Sequence, residues 1–333
     1  MTGSIGSPAL WIGFLALITV AIAFDLGVLH RKPHAMSFRE ALWMSLFWIG
    51  LALVFNAGVY VAFGAQAGLE FLTGYLIEKA LSVDNLFVFL LIFSTFAVPA
   101  AYQHRILLWG ILGAVVMRGF FILLGAWLLE RFHWMIFVFG GFLVYTGVKI
   151  LRHRDETPHP ERNVLFRAFR RVVPAVTEPH GGGFVVRIDG RLYATPLLLV
   201  LVLVEATDVV FAVDSIPAIF AVTSDPFIVF SSNIFAILGL RALYFLLAGM
   251  MERFRYLKVG LSAVLVFVGA KMLVSDLYHV PVGWSLAVVA SLLGVSVLTS
   301  VMRPEAAWRF VARRWPRVRE TTAKDARRLG RRG

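Results

Sequence analysis

Thr195-Pro-Leu-Leu-Leu-Val-Leu-Val-Leu-Val-Glu205-Ala-Thr-Asp208-Val-Val-Phe-Ala-Val-Asp214-Ser-Ile-Pro-Ala-Ile-Phe-Ala-Val222 is apolar for long enough to cross a bilayer, yet it carries three acids. A second such run holds Glu78 and Asp84. Each carboxylate at the centre of a span costs roughly 2.5–3.5 kcal/mol on insertion scales. Acids persist there when they line a protein-walled or watery path and hold something positive.

The rest of the chain has the same character. Of 333 residues, 59% are hydrophobic and 16% charged, the balance of a polytopic membrane protein. About 20 residues at ~1.5 Å rise each cross ~30 Å of hydrocarbon. Nine windows qualify: 8–29, 40–63, 69–98, 104–129, 133–151, 195–222, 226–250, 256–277 and 280–301. The expected fold is therefore an all-α polytopic membrane domain over residues 1–301, with a loop at 152–194 and a basic tail at 302–333. No soluble domain fits in either. The first window is not expected to be a cleaved signal peptide, because nothing basic precedes it and it carries Asp25.

Nine spans put the termini on opposite sides. The loops 30–39, 98–105, 152–194 and 251–258, with the tail, hold 26 of the 32 basic residues, whereas the opposite loops hold only Arg131. The basic side is expected to be cytoplasmic and the N-terminus outside. The net charge of +12 then reads as orientation and contact with anionic lipid, not nucleic-acid binding. With no cysteine, thiol-redox, disulfide and Fe–S chemistry are excluded.

The middle of the chain is written twice. Glu78 and Asp84-Asn85 match Asp208 and Asp214-Ser215; Arg118 matches Arg241. Glu130-Arg-Phe132 then matches Glu252-Arg-Phe254, and Gly147-Val-Lys-Ile-Leu151 matches Gly269-Ala-Lys-Met-Leu273. Each copy holds three spans, about 69–151 and 195–277, so the second is inverted relative to the first. Inverted three-helix repeats are a transporter architecture with the site near mid-membrane. A duplicated scaffold is the plainer alternative.

On a helix, Glu78, Ser82 and Asn85 form one polar stripe, which Asp208 and Ser215 repeat. Asp84 and Asp214 lie roughly 120° further round. Either the polar sector is wide or the helices break near the site; Pro217 points to a break in the sixth span. Glu78, Asp84, Asn85, Glu205, Asp208, Asp214 and Ser215 are the candidate metal ligands. An all-oxygen set suits Mg²⁺, Ca²⁺ or Mn²⁺ over Zn²⁺ or Cu⁺. The surplus of carboxylates suits exchange against protons. Arg118 and Arg241 are expected to compensate the acids when no ion is held. Asn233, Asp25, Glu70 and Asp225 are candidate accessory groups, the last two at an outer vestibule.

In the loop, residues 163–173 read as a basic amphipathic helix on the inner leaflet, ended by Pro174. Phe184-Val-Val-Arg-Ile188 and Arg191-Leu-Tyr193 around Asp189-Gly190 read as a hairpin. Gly181–Gly183 lacks the Lys-Ser/Thr of a phosphate loop, and no ATP-driving module is visible.

The stretches Glu78–Phe89 and Glu205–Ala218, with Asp225–Tyr244, resemble the signature segments of the TerC family, most closely its Alx-like branch. The likeness covers most of residues 10–275. It implies a bacterial inner-membrane protein linked to Mn²⁺ efflux, with the family's intramembrane acids falling on Glu78, Asp84, Glu205, Asp208 and Asp214. Members of that branch also carry redox-modulator and tellurium-resistance labels, for which this chain shows no cysteine, cofactor motif or oxyanion site. The expected function is thus non-enzymatic: a secondary transporter exporting a divalent cation, most plausibly Mn²⁺, in exchange for protons and with no resident cofactor. The alternative is a non-transporting membrane partner that modulates redox or metallation. An intramembrane aspartyl protease lacks its Gly-x-Gly-Asp motif, and a zinc protease lacks His-Glu-x-x-His. Oligomeric state is open.

Overall fold

A computed structural model describes residues 4–27, 38–96, 98–152, 183–188, 191–248, 257–278 and 280–302. Apart from one hairpin, its elements are helices: α1 (Pro8–Gly27), α2 (Phe38–Phe63), α3 (Ala65–Thr95), α4 (Ala100–Arg131) and α5 (Met135–Arg152) come first. The hairpin β1 (Val185–Ile188) and β2 (Arg191–Ala194) follows, then α6 (Pro196–Phe220), α7 (Pro226–Leu238), α8 (Leu240–Ala248), α9 (Leu257–Leu273) and α10 (Val282–Met302). Alternation around Asp-Gly had marked the hairpin, and the strands pair antiparallel with Ile188 opposite Arg191. The expected amphipathic helix at 163–173, the tail and the Glu252–Phe254 segment lie outside the described residues.

The chain is a mostly helical, membrane-spanning protein. Among the described residues, α2, α4, α5, α6 and α10 are long and apolar enough to cross a bilayer, and α7 with α8 makes a sixth span. This is fewer than the nine windows read from hydropathy. The 31-residue α3 misses that criterion because it carries Glu70, Glu78, Lys79 and Asp84, while α1 and α9 are short as described. Many large apolar side chains on the outer surface, such as Trp43, Val61, Val116 and Trp284, remain exposed, as lipid-facing positions require.

The expected helix break is in a different span. α6 runs unbroken through Pro217, which sits in its last turn, where the missing N–H forfeits one bond and Ala221 N still reaches the Pro217 carbonyl (3.0 Å). The kink of 41° falls instead at Gly239, between α7 and α8. A Cβ there would stand 2.7 Å from Lys79 Nζ and 3.3 Å from Trp48 Cβ, so glycine makes room for both. Gly64, at φ +93°, turns α2 into α3 with no intervening loop.

Without a hydrophobic drive between helices in lipid, close packing of small residues holds the bundle together. α3 and α7 run parallel, with Gly74 against Ser232 and Lys79 reaching Ala236. α4 and α6 also run parallel, with Gly110 on Val204, Gly113 on Glu205 and Gly125 on Phe220. α5 and α9 form the most extensive pair and run antiparallel, with Gly140 against Gly269 and Gly147 against Ser262. Ser262 Oγ donates to the Gly147 carbonyl across that seam.

A methyl at Gly269 would sit 2.7 Å from the Gly140 carbonyl oxygen, whereas one at Gly141 meets nothing within 4 Å. Gly269→Ala should therefore destabilise the protein by about 1–3 kcal/mol through overpacking, and Gly141→Ala should not. Thermal unfolding of both variants in detergent reads the difference directly.

Candidate functional site

The polar stripe of α3 turns inward. Glu78 and Ser82 are fully buried and Asn85 nearly so. α6 presents Asp208 and Ser215, also buried, from the neighbouring helix. Between them lies Arg118 of α4, with no exposed surface. Its Nη1 pairs with Glu78 Oε1 and donates to Asn233 Oδ1 of α7 (3.0 Å) and Ser215 Oγ (3.4 Å). Its Nε and Nη2 reach the two oxygens of Asp208 at 3.3 and 3.2 Å. One guanidinium thus joins four helices. Arg suits this role because its planar fork presents five donors at fixed angles.

Two carboxylates face one guanidinium, so the trio keeps one negative charge in excess when all three are ionised. Its hydrogen bonding is also incomplete. Glu78 Oε2, Ser82 Oγ and Asn233 Nδ2 are buried with no partner. Buried polar atoms are nearly always paired, so these three are the atoms near the trio with which a water or other polar group could bond. Beside Asp208 a cavity of ≈ 10 Å³, near the minimum for one water molecule, opens between α3, α4, α6 and the α7–α8 junction.

The remaining expected residues are spread more widely. Glu205, one turn before Asp208, is half-buried with its carboxylate against Gly113 of α4. Asp214 faces α5, where Thr146 Oγ1 donates to it at 3.4 Å. Among the described residues, no three acid or imidazole side chains converge as a ready metal cage. The side chains of Asp84 and Asp25 lie outside the described residues, although both positions are helical. Arg241 does not join the trio in the way Arg118 does; its Nη1 lies 2.9 Å from His104 Nε2, at the first turns of α4. Asp225 caps α7, accepting from Phe227 N (2.8 Å), and also accepts from Ser4 Oγ (2.9 Å) and Ile5 N (2.7 Å). Glu70 accepts from Gln66 (3.0 Å) and faces Lys271 electrostatically. Thr207 bonds back to its own helix at the Leu203 and Val204 carbonyls.

Sequence reasoning did not single out Gln103, His104 and Tyr244. Lys79 Nζ donates to the Ala236 carbonyl (3.2 Å), and Tyr244 OH to Gln103 Oε1 (2.9 Å). The signal for Lys79 was present: a lysine inside an apolar helix, beside a glycine-interrupted span.

Residues 63–308 match the model of the Integral membrane protein TerC family, and the chain belongs to that family. It is 57% identical to "Uncharacterized membrane protein STKORF319" of Myxococcus xanthus over 90% of this chain and 94% of that one. It is 51% identical to "Putative membrane-bound redox modulator Alx" of Photorhabdus laumondii (90% and 96% covered), and 50% identical to the protein of that name in Escherichia coli K12 (90% and 95%). No solved structure matches the chain.

Removing one partner from a buried ion group leaves an uncompensated charge, at about 3–5 kcal/mol. Arg118→Met should therefore lower stability by an amount of that order, and adding Glu78→Gln and Asp208→Asn should restore most of it. Melting of the detergent-solubilised variants checks both steps.

Proposed function

We propose that the chain is a secondary transporter that exports a divalent cation, most plausibly Mn²⁺, across the bacterial inner membrane in exchange for protons. The observation that carries this reading is the burial of Glu78 and Asp208 around Arg118 inside the helical bundle, with Glu78 Oε2, Ser82 Oγ and Asn233 Nδ2 unpaired beside them. Oxygen donors of this kind suit a hard cation. In this reading Arg118 is a tethered counter-ion that withdraws when the metal binds. The released guanidinium needs a new anion, and Glu205 is the next acid along α6.

The architecture proposed with it is nine spans, N-terminus outside, with two inverted three-helix repeats at about 69–151 and 195–277. The helix pairings support the inversion. Exchanging the copies turns the parallel pair α3–α7 into the parallel pair α6–α4, and maps the antiparallel pair α5–α9 onto itself. The Gly147–Ser262 contact then becomes the Gly269–Gly140 contact. Glu78 and Asp208 are equivalent positions and share Arg118. Asp84, Asn85, Asp214 and Ser215 remain proposed members of the ion path. No resident cofactor is part of the proposal, and the basic loop and tail are proposed to rest on anionic lipid.

A second reading is favoured by the same trio. Arg118 engages both carboxylates, as a purely structural ion group would, and the Photorhabdus and Escherichia relatives carry names of redox modulators. In that case the chain is a membrane partner without transport. Mn²⁺ uptake into proteoliposomes, with and without a pH gradient, separates the two. The transporter reading expects gradient-dependent flux that falls at least tenfold in Glu78→Gln and Asp208→Asn. Equal leak in wild type and variants would reject it.

A further inference from the structure

We infer that the Glu78–Asp208 pair is reached from the face of the bundle where α4 and α6 begin, through the cavity beside Asp208, and that α8 is the element closing that route. The inference rests on the transporter reading but concerns access, which can be measured separately from flux. Phe89, Ala114, Val204, Asp208, Ile237 and Leu240 form much of the cavity wall. Ile237 and Leu240 flank Gly239, so one wall is the bend itself and not a continuous helix.

Side-chain bonds tie α8 to the first turns of α4, among them Tyr244 OH to Gln103 Oε1 and Arg241 Nη1 to His104 Nε2, each at 2.9 Å. Lys79 Nζ holds the Ala236 carbonyl on the near side of the bend and fills the space a side chain at 239 would take. Polar contacts of this kind are ones that water can take over when α8 moves about Gly239. Small residues on α4, Gly110 and Ala114, leave room beneath it.

The other face is closed in a different manner. There Asp225 ties Ser4 and Ile5 to the start of α7, and the rings of Trp11 and Phe14 pack on Phe227 and Phe230 at 5.2–5.9 Å between centroids. Parting those rings would expose aromatic surface; α8 also buries apolar groups, Leu240 and Leu247 among them, with the Tyr244 ring on Phe93 at 5.5 Å. Leu107 and Gly110 of α4 precede Arg118, and Val204 of α6 precedes Asp208, so the cavity lies on the side where those helices begin; that position assigns the accessible side of this conformation to the end bearing α8. That end also carries the basic loops that place it in the cytoplasm in the proposed topology. A cytoplasmic divalent ion would meet Glu205 and Asp208 in turn.

The absence of cysteine makes the test free of background. Ala114→Cys and Leu240→Cys, each alone, would be treated with a membrane-impermeant maleimide in sealed vesicles of either orientation. Labelling at least tenfold faster from the α8 face is expected. A further several-fold rise is expected when Gln103→Leu and Tyr244→Phe are added, and slowing by Mn²⁺. Ala114→Cys, a change of one atom in size, keeps the test open if the Leu240 variant does not fold. Equal or faster labelling from the opposite face, or no labelling from either face in the loosened variants, overturns the inference. Side-dependent labelling that Mn²⁺ does not slow keeps the access route and removes the metal reading.

Discussion

A single guanidinium with no exposed surface constrains the packing of the helices around it. Arg118 can remain charged at that depth only if anions surround it, and Glu78 and Asp208 can remain charged only if it is there. That mutual need fixes which faces of α3, α4 and α6 turn inward. It also explains why α7 offers Asn233 and not an apolar side chain at the same level. In a medium where apolar side chains gain nothing by leaving lipid for protein, such a knot supplies specificity that hydrophobic burial supplies in water.

Glycines make the knot reachable. The separation between α4 and α6 is set by Gly110, Gly113 and Gly125, each of which receives a side chain from α6. At Gly113 that side chain is the Glu205 carboxylate, so a packing position and an electrostatic one coincide. The α5–α9 seam, with glycines or serine at each crossing, packs backbone against backbone away from the ion group.

The apolar runs and the inward stripe of α3 were legible in the sequence because both rest on short-range periodicity. The six-residue spacing also carried a correct warning: Asp214 is turned away from the stripe and meets Thr146 of α5. Arg118 was legible as a compensating charge but not as the hub, since nothing in linear order says which of two matched arginines lies at the level of the acids. The break was misplaced for a similar reason. Proline is the louder signal, but near a helix end it costs one bond, while a glycine in mid-run yields where Lys79 and Trp48 crowd it. The capping role of Asp225 depends on the path of the N-terminal segment, over two hundred residues away in sequence.

Charge counting links this core to the kind of guest it could take. Glu78 and Asp208 together carry two negative charges when ionised, and Arg118 returns only one. A singly charged ion that displaced the guanidinium would leave the same excess, now without the fork of hydrogen bonds that makes the present arrangement tolerable. A doubly charged ion would leave the pair neutral and would satisfy Glu78 Oε2, which has no partner now. The gain from neutrality is largest where the surroundings are least polarisable, and the trio lies at that depth. In the proposed function the core would favour a divalent over a singly charged metal ion, because one divalent guest removes the charge that the arginine leaves behind.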